Sequence, residues 1–354
     1  KIMYGDVHVH RVYYSTKINH LHRITFHKFK NTLWYLHLSY KWYRAVRELH
    51  LQKPVDLVQA PNVANAGLVT QLRSRIPTVV RISSNRRMWE AAKGAQRTLD
   101  QRIVERLEIA SMRRAERCIG PTQLLVDIAK HDFEIEDIRV IRTPFYIEVE
   151  DLDDSVYREH LAGKAYALYF GRLELHKGAG VIAHAMRAFL EAHRDAYVVC
   201  VGRDRQTVLA SSMLRYMREQ AGPCADRFIH IEPLAHRQLY PIIQHARLVM
   251  LPSLMDNLPN ALLESLGLGK VVIGTRGASF DEVLTHNKDG LLIEKDDPQQ
   301  LAQTLIDAWD RADLPEMERE AKRTSEQFRV EKTVGDLLDL YYECLGRGEA
   351  RQSD

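Results

Sequence analysis

Cysteine is scarce, and the four present, Cys118, Cys200, Cys224 and Cys344, show no CxxC spacing. That scatter excludes a zinc knuckle and a disulfide-stapled scaffold and suits a reducing compartment. No apolar run approaches the roughly 20 residues that a spanning helix needs, so no transmembrane helix is expected and the chain is read as cytoplasmic. An excess of one charge is lacking too: the formal net charge is +3, too small for a general case for nucleic acid. Two phosphate-loop signatures are missing. Gly269-Lys270 is followed by Val271 and preceded, five positions back, by Glu264, so GxxxxGK[ST] fails. Gly267-Leu268-Gly269 follows a helical stretch and has Val272 where GxGxxG needs its last glycine. The chain opens at Lys1 with neither an initiator Met nor a signal-peptide core, and an incomplete N-terminus is expected.

What is present is ordinary globular material. With 354 residues, 45% hydrophobic and 27% charged, the chain holds enough for two domains of roughly 150 to 200 residues, each with a full core. From about Lys53 strands and helices alternate. Val55 to Gln59, Thr78 to Ile82, Cys118 to Gly120 and Arg139 to Ile141 are predicted strands, with a helix from about Ala95 to Arg117 and another capped by Thr122. A second series has strands at 167–170, 197–201, 228–231, 248–251, 271–274 and 290–293, with amphipathic helices such as 181–192 and 298–308, the latter capped by Asp297. This is the βαβ rhythm of parallel sheets. The expected fold class is α/β, with two doubly wound parallel-sheet domains: residues 1–150, then 151–325, with the acidic stretch Glu148 to Asp154 as linker. The last segment, 326–354, holds a helix apolar at helical spacing.

Open parallel sheets bind ligands at the carboxyl ends of their strands, where loops lead into helix N-termini. Two such loops stand out. Gly171-Arg172-Leu173-Glu174-Leu175-His176-Lys177-Gly178 follows the strand ending at Phe170 and combines two cations with glycines that let backbone approach a ligand. The second loop, from Pro252 to Glu264, contains Asp256, Asn257, Leu258, Pro259, Asn260 and Ala261. Asn260 is expected to cap a helix whose first amides face an anion, with Glu264 one turn inside, where its carboxylate can accept from vicinal hydroxyls. Singly, each residue is more simply a turn former or a solvated charge; their joint placement after two strands points to a phosphorylated sugar or ribose.

The segment from Leu168 to Gly178 resembles the "GRL…KG" motif of the family 4 (group 1) retaining glycosyltransferases, and Pro252 to Gly269 resembles that family's "PS…E-x7-E…G" segment. The likeness runs on through Val271 to Thr275, Glu282, Asp289 to Ile293 and Asp297 to Leu301. It implies GT-B architecture, two Rossmann-like domains facing a cleft, with the acceptor on the first, the nucleotide-sugar donor on the second, and the last helix packing back on the first. It further implies that Arg172 and Lys177 bind the donor diphosphate, Glu264 the ribose, Asp256 the donor sugar, and Gly171, Asn257, Leu258, Pro259, Asn260 and Ala261 line the donor. Neither a metal nor a cofactor is implied beyond the nucleotide-diphosphate sugar itself, and the reaction the resemblance implies is hexosyl transfer with retention to a glycan, lipid-linked or small-molecule acceptor.

This sequence departs from the family pattern at three places. Asp256 stands where the first Glu of E-x7-E is usual, and Ser83-Ser84-Asn85 stands where relatives carry a His. The glycine-rich loop near the family's N-terminus has no counterpart, so the first strand and that loop are expected to be missing. These departures leave open a non-catalytic nucleotide-sugar-binding protein of a polysaccharide pathway, or a sugar-nucleotide epimerase of the same architecture. Between Arg11 and Lys53, nine basic residues face only Glu48 and alternate with aromatics such as Tyr13, Phe26, Trp34 and Trp42. Such a stretch suits peripheral contact with the inner face of an anionic membrane; a solvated helix face over an aromatic stripe is the plainer alternative. The early histidines, His8, His10, His20, His22 and His27, lack the fixed spacing of a metal site.

Overall fold

A computed structural model describes residues 2–4, 7–12, 28–83 and 98–346. The chain divides into two compact units, Lys1–Arg142 with Gly335–Asp354, and Thr143–Val334. The sequence boundary was expected near residue 150. Instead the acidic stretch is bonded to the second unit: Arg237 Nε donates to the Asp151 carbonyl at 2.7 Å, and Asp153 N donates to the Arg237 carbonyl at 3.0 Å. Just upstream, Phe145 and Ile147 pack on the same core.

The first unit opens with an antiparallel pair, β1 (Ile2–Tyr4) and β2 (Val7–Val9). Helix α1 (Lys30–Gln52) follows. Phe29 at its N-cap offers no side-chain bond, and Asp100 supplies it from a distance, accepting from Asn31 N and Thr32 N at 2.9 Å each. Next come β3 (Val58–Pro61), α2 (Leu68–Arg73), β4 (Thr78–Arg81), α3 (Leu99–Arg114), β5 (Arg117–Gly120), α4 (Gln123–Phe133) and β6 (Ile138–Val140). Strands β3 to β6 form a parallel sheet in that order. Residues alternate between its faces: Val80 and Cys118 pack with Leu125 of α4, while Val79 and Ile119 pack with Leu340. Leu340 belongs to α12 (Val330–Cys344), which from Gly335 onward is part of this unit. Ser83 donates its amide to Asn62 Oδ1 at 3.0 Å; Ser84 and Asn85 lie outside the described residues, as do His20, His22, His27 and the basic and aromatic residues between 13 and 27.

The second unit contains α5 (Ser155–His160), β7 (Ala165–Phe170), α6 (Ala179–Ala192), β8 (Ala196–Val201), α7 (Met213–Ala221), β9 (Phe228–Ile231), α8 (His236–His245), β10 (Leu248–Leu251), α9 (Asn260–Gly267), β11 (Val272–Thr275), β12 (Gly290–Ile293), α10 (Pro298–Trp309) and α11 (Leu314–Ser325). Its six strands are all parallel, in the order β12-β11-β10-β7-β8-β9. Both faces are covered, so the strands read as near-continuous apolar runs. Ala167, Met250 and Ile273 face α6, α7 and α10, while Leu168, Val249 and Val272 face α8, α9 and α11. The chain runs outward from β7 through β8 and β9, then returns to the other side of β7 at β10. That reversal makes β7 and β10 a topological switch point, where loops leaving the two carboxyl ends part to opposite faces and open a crevice.

Candidate functional site

The loops after β7 and β10 are locked together by backbone. Leu254 N donates to the His176 carbonyl at 3.0 Å. Gly178, the N-cap of α6, has φ +84°, and a Cβ there would stand 2.1 Å from the Pro252 carbonyl oxygen. Only glycine permits both that left-handed conformation and that approach. The loop after β8 joins the assembly in the same way: Gly171 N donates to the Val201 carbonyl at 2.9 Å and Leu173 N to the Arg203 carbonyl at 3.0 Å. Underneath, the fully buried Tyr169 donates its hydroxyl to the Arg172 carbonyl at 2.7 Å, and burial pushes this phenol well above its ordinary pKa, so it remains a donor.

Between these loops lies a cavity of about 300 Å³ lined by Gly171, Arg172, Lys177, Ser253, Asp256, Leu258, Pro259, Asn260 and Ala261, with Tyr169, Phe170 and Leu251 behind them. Lys177 Nζ is 2.6 Å from Asp256 Oδ2, with both side chains largely buried. The same carboxylate is held by Ser253 Oγ at 3.3 Å and by Asn257 N at 3.1 Å to its other oxygen. Arg172 Nη1 is 3.0 Å from Glu174 Oε1. His176 lies 3.3 Å from Glu174 Oε2, and burial lowers its pKa although the carboxylate pulls the other way.

Eight of the ten residues expected at the site therefore share one cavity. Asn257 contributes its backbone to Asp256 instead of lining the space. Glu264 is also outside this lining: it is buried on α9, with Oε1 3.4 Å from His236 Nε2, and burial raises its pKa against the opposing charge of His236. Asn260 is not the cap of α9. Pro259 takes that place, its carbonyl accepting from Leu262 N at 3.0 Å, and Asn260 is the first helical residue. No side chain caps this end, and Asn260 and Ala261 of the first turn line the cavity; amides at a helix start have no intrahelical partner and favour an anion.

A second cavity of about 340 Å³ adjoins the first, sharing Phe170, Gly171 and Arg172 and adding Gly202, Arg203, Arg205, Pro233, Leu234 and Leu239. In sequence their one signal is that Val201-Gly202-Arg203 after β8 repeats the pattern of Phe170-Gly171-Arg172 after β7. A Cβ at Gly202, where φ is +154°, would lie 1.8 Å from the Gly171 carbonyl oxygen, so the bare glycine at 202 is what lets the two loops approach. Among the described residues no group of three His, Cys, Asp or Glu is placed to hold a metal ion, and no helix is long and apolar enough to cross a membrane.

An α/β fold with two parallel sheets, and a basic cavity at a switch point, define the class of structure to which the chain is similar. Residues 164–311, which carry the whole of the loop pair, match the family described as Glycosyl transferases group 1. Among curated proteins, the chain is 28% identical over 181 residues to a D-inositol 3-phosphate glycosyltransferase of Corynebacterium urealyticum, covering 49% of this chain and 42% of that one. It is 34% identical over 100 residues to an N-acetyl-alpha-D-glucosaminyl L-malate synthase of Bacillus anthracis, covering 28% of this chain and 26% of the relative. The chain thus spans less than half the length of these two relatives. Among solved structures, a sucrose-phosphate synthase from Thermosynechococcus elongatus superposes with a TM-score of 0.72 at 17% identity, over 86% of this chain and 78% of the other. HepE of Anabaena, in complex with UDP, gives 0.70 at 16% identity, over 86% and 82%. These neighbours establish the two Rossmann-like domains of the GT-B fold.

Proposed function

We propose that the chain is a metal-independent hexosyltransferase that takes a sugar from a nucleotide-diphosphate donor and passes it, with retention, to a glycan, lipid-linked or small-molecule acceptor. The observation that carries this reading is the convergence of Arg172, Lys177 and the uncapped start of α9 on one cavity at the switch point. A guanidinium, an ammonium and free amides are all donors, and together they suit a diphosphate. As the glycosidic bond breaks, negative charge grows on the leaving diphosphate, so fixed donors stabilise the transition state more than the bound donor.

Asp256, anchored by Lys177, Ser253 and Asn257, would orient the donor sugar, and Glu264 would accept from the ribose hydroxyls. The apolar wall of Pro233, Leu234 and Leu239 would receive the nucleoside. The HepE structures with UDP and with UDP-glucose make a uridine nucleotide the first donor to try. The basic aromatic stretch from Arg11 to Lys53 would add peripheral contact with an anionic membrane face. The test is to incubate the protein with UDP-, GDP- and ADP-sugars and a panel of glycan, lipid-linked and small-molecule acceptors in the presence of a chelator, and to follow release of the nucleoside diphosphate. Release that falls about 100-fold or more in Lys177→Ala is expected. Binding without release would make the protein a nucleotide-sugar-binding module, and conversion of the donor sugar without an acceptor would make it an epimerase.

A further inference from the structure

The loop from β7 to α6 carries a carboxylate for which the proposed transfer has no direct use. Glu174 Oε1 lies 3.0 Å from Arg172 Nη1 and 3.7 Å from Arg205 Nε, so one oxygen serves two guanidinium groups from different loops. The arginine side chains are 52% and 44% exposed, that of Glu174 only 19%. The carboxylate is therefore the fixed member of the cluster. Its own backbone is tied down: Glu174 N donates to the Arg172 carbonyl at 2.8 Å, and its carbonyl accepts from Lys177 N at 3.1 Å. The loop bearing Arg205 is anchored by Asp204, which accepts from Ser212 Oγ at 2.7 Å and Leu214 N at 2.9 Å.

Arg172 lines both cavities and Arg205 lines the one on the nucleoside side. A guanidinium offers five donors in a planar fork, so a carboxylate on one nitrogen leaves donors for a phosphate. A free arginine side chain must give up rotamer freedom to bind an anion, and one already held loses less. We propose that Glu174 is a positioning residue, holding Arg172 and Arg205 at the shared rim so that a nucleoside diphosphate meets two oriented guanidinium groups. The proposal rests on the donor-site reading above. Glu174 acts through the arginines, not on the phosphate, which an ionised carboxylate would repel.

The experiment is a calorimetric titration of UDP, with GDP and ADP alongside, into the whole chain, with chelator present, for the wild type, Glu174→Ala, Glu174→Gln, Arg172→Ala and the Arg172→Ala/Glu174→Ala double variant. Thermal melts run alongside confirm that each variant is folded. Glu174→Ala is expected to weaken UDP by about tenfold, and Glu174→Gln, which keeps an acceptor oxygen, to recover a large part of that loss. In the Arg172→Ala background the alanine at 174 should cost less than about threefold, because the nearer of the two guanidinium groups it acts through is gone and only Arg205 remains. A purely structural role would instead multiply in full across the double variant, and that result overturns the proposal. So does unchanged UDP affinity in Glu174→Ala while the wild type binds. A wild type that binds no UDP, GDP or ADP overturns the donor reading itself, a different outcome from the loss of this inference alone.

Discussion

Lys177 Nζ and Asp256 Oδ2 meet at 2.6 Å across the loops that leave β7 and β10, two strands paired side by side in the sheet. The ammonium is thereby kept at the cavity wall before any ligand arrives. An ion pair in a partly buried site is costly to break from one side, because the surviving charge loses its partner. Lys177→Ala should lower turnover by about 100- to 1000-fold, the range found when a donor to a developing oxyanion is removed. Asp256→Asn keeps the shape and frees the ammonium, so it should lower turnover by about tenfold while leaving the Michaelis constant for the donor unchanged or smaller. Steady-state kinetics on the two variants separates these outcomes; equal losses in both would count against distinct roles.

Gly178→Ala tests the junction of the two loops. The new Cβ would fall 2.1 Å from the Pro252 carbonyl oxygen in a residue with φ +84°. Left-handed strain alone costs about 1 to 2 kcal/mol, and the backbone clash adds to it. A fall in Tm of several degrees with loss of nucleotide binding is expected. Gly163→Ala, also at positive φ but with open space around it, should lose only the strain and keep binding.

Burial raises the pKa of Glu264, with His236 opposing. A carboxyl with a raised folded-state pKa favours the protonated form in the native protein. Its contribution to stability is complete below the ordinary carboxylate value of about 4 and is lost as pH rises through the raised value. Glu264→Gln cannot ionise, so its Tm should exceed that of the wild type near neutral pH, with the gap closing toward acid. If Glu264 holds the ribose, the same variant should bind nucleotide more weakly at neutral pH. Paired melts and titrations across this range check both, and a Tm gap that widens toward acid would contradict the sign.

Cysteine reactivity reports on both cores. Burial pushes the Cys118 thiol up to about 12 and that of Cys200 higher still, while Cys344 is half-buried. Alkylation of the native protein near neutral pH should modify Cys344 first, with Cys118 and Cys200 reacting only after denaturant is added. Mass spectrometry of peptides before and after unfolding measures this.

Much of the second unit was legible because parallel strands covered on both faces become unbroken apolar runs, as Ala167 to Phe170 and Leu248 to Leu251 do. The loops that follow them announced themselves by glycine and charge. The switch point was not legible: the pairing of β7 with β10 is non-local, and no local pattern fixes strand order. Arg205 was missed for the same reason, since its partner Glu174 sits on another loop. Asn260 looked like a cap by its residue type, but the carbonyl of Pro259 had already taken that role. The acidic stretch before Ser155 looked like a linker because it lacks periodicity. It is held by one backbone bond and one side-chain bond to Arg237, which periodicity does not reveal.

The single diphosphate site proposed for Arg172 and Lys177 underlies the whole functional reading. It is tested most directly by calorimetric titration of UDP, GDP and ADP in chelator, into the wild type and into Arg172→Ala/Lys177→Ala. Saturable binding of at least one nucleotide to the wild type is expected, weakened about 100-fold or more in the double variant. Equal affinity in both proteins, or binding that appears only when a divalent metal is added, would contradict it.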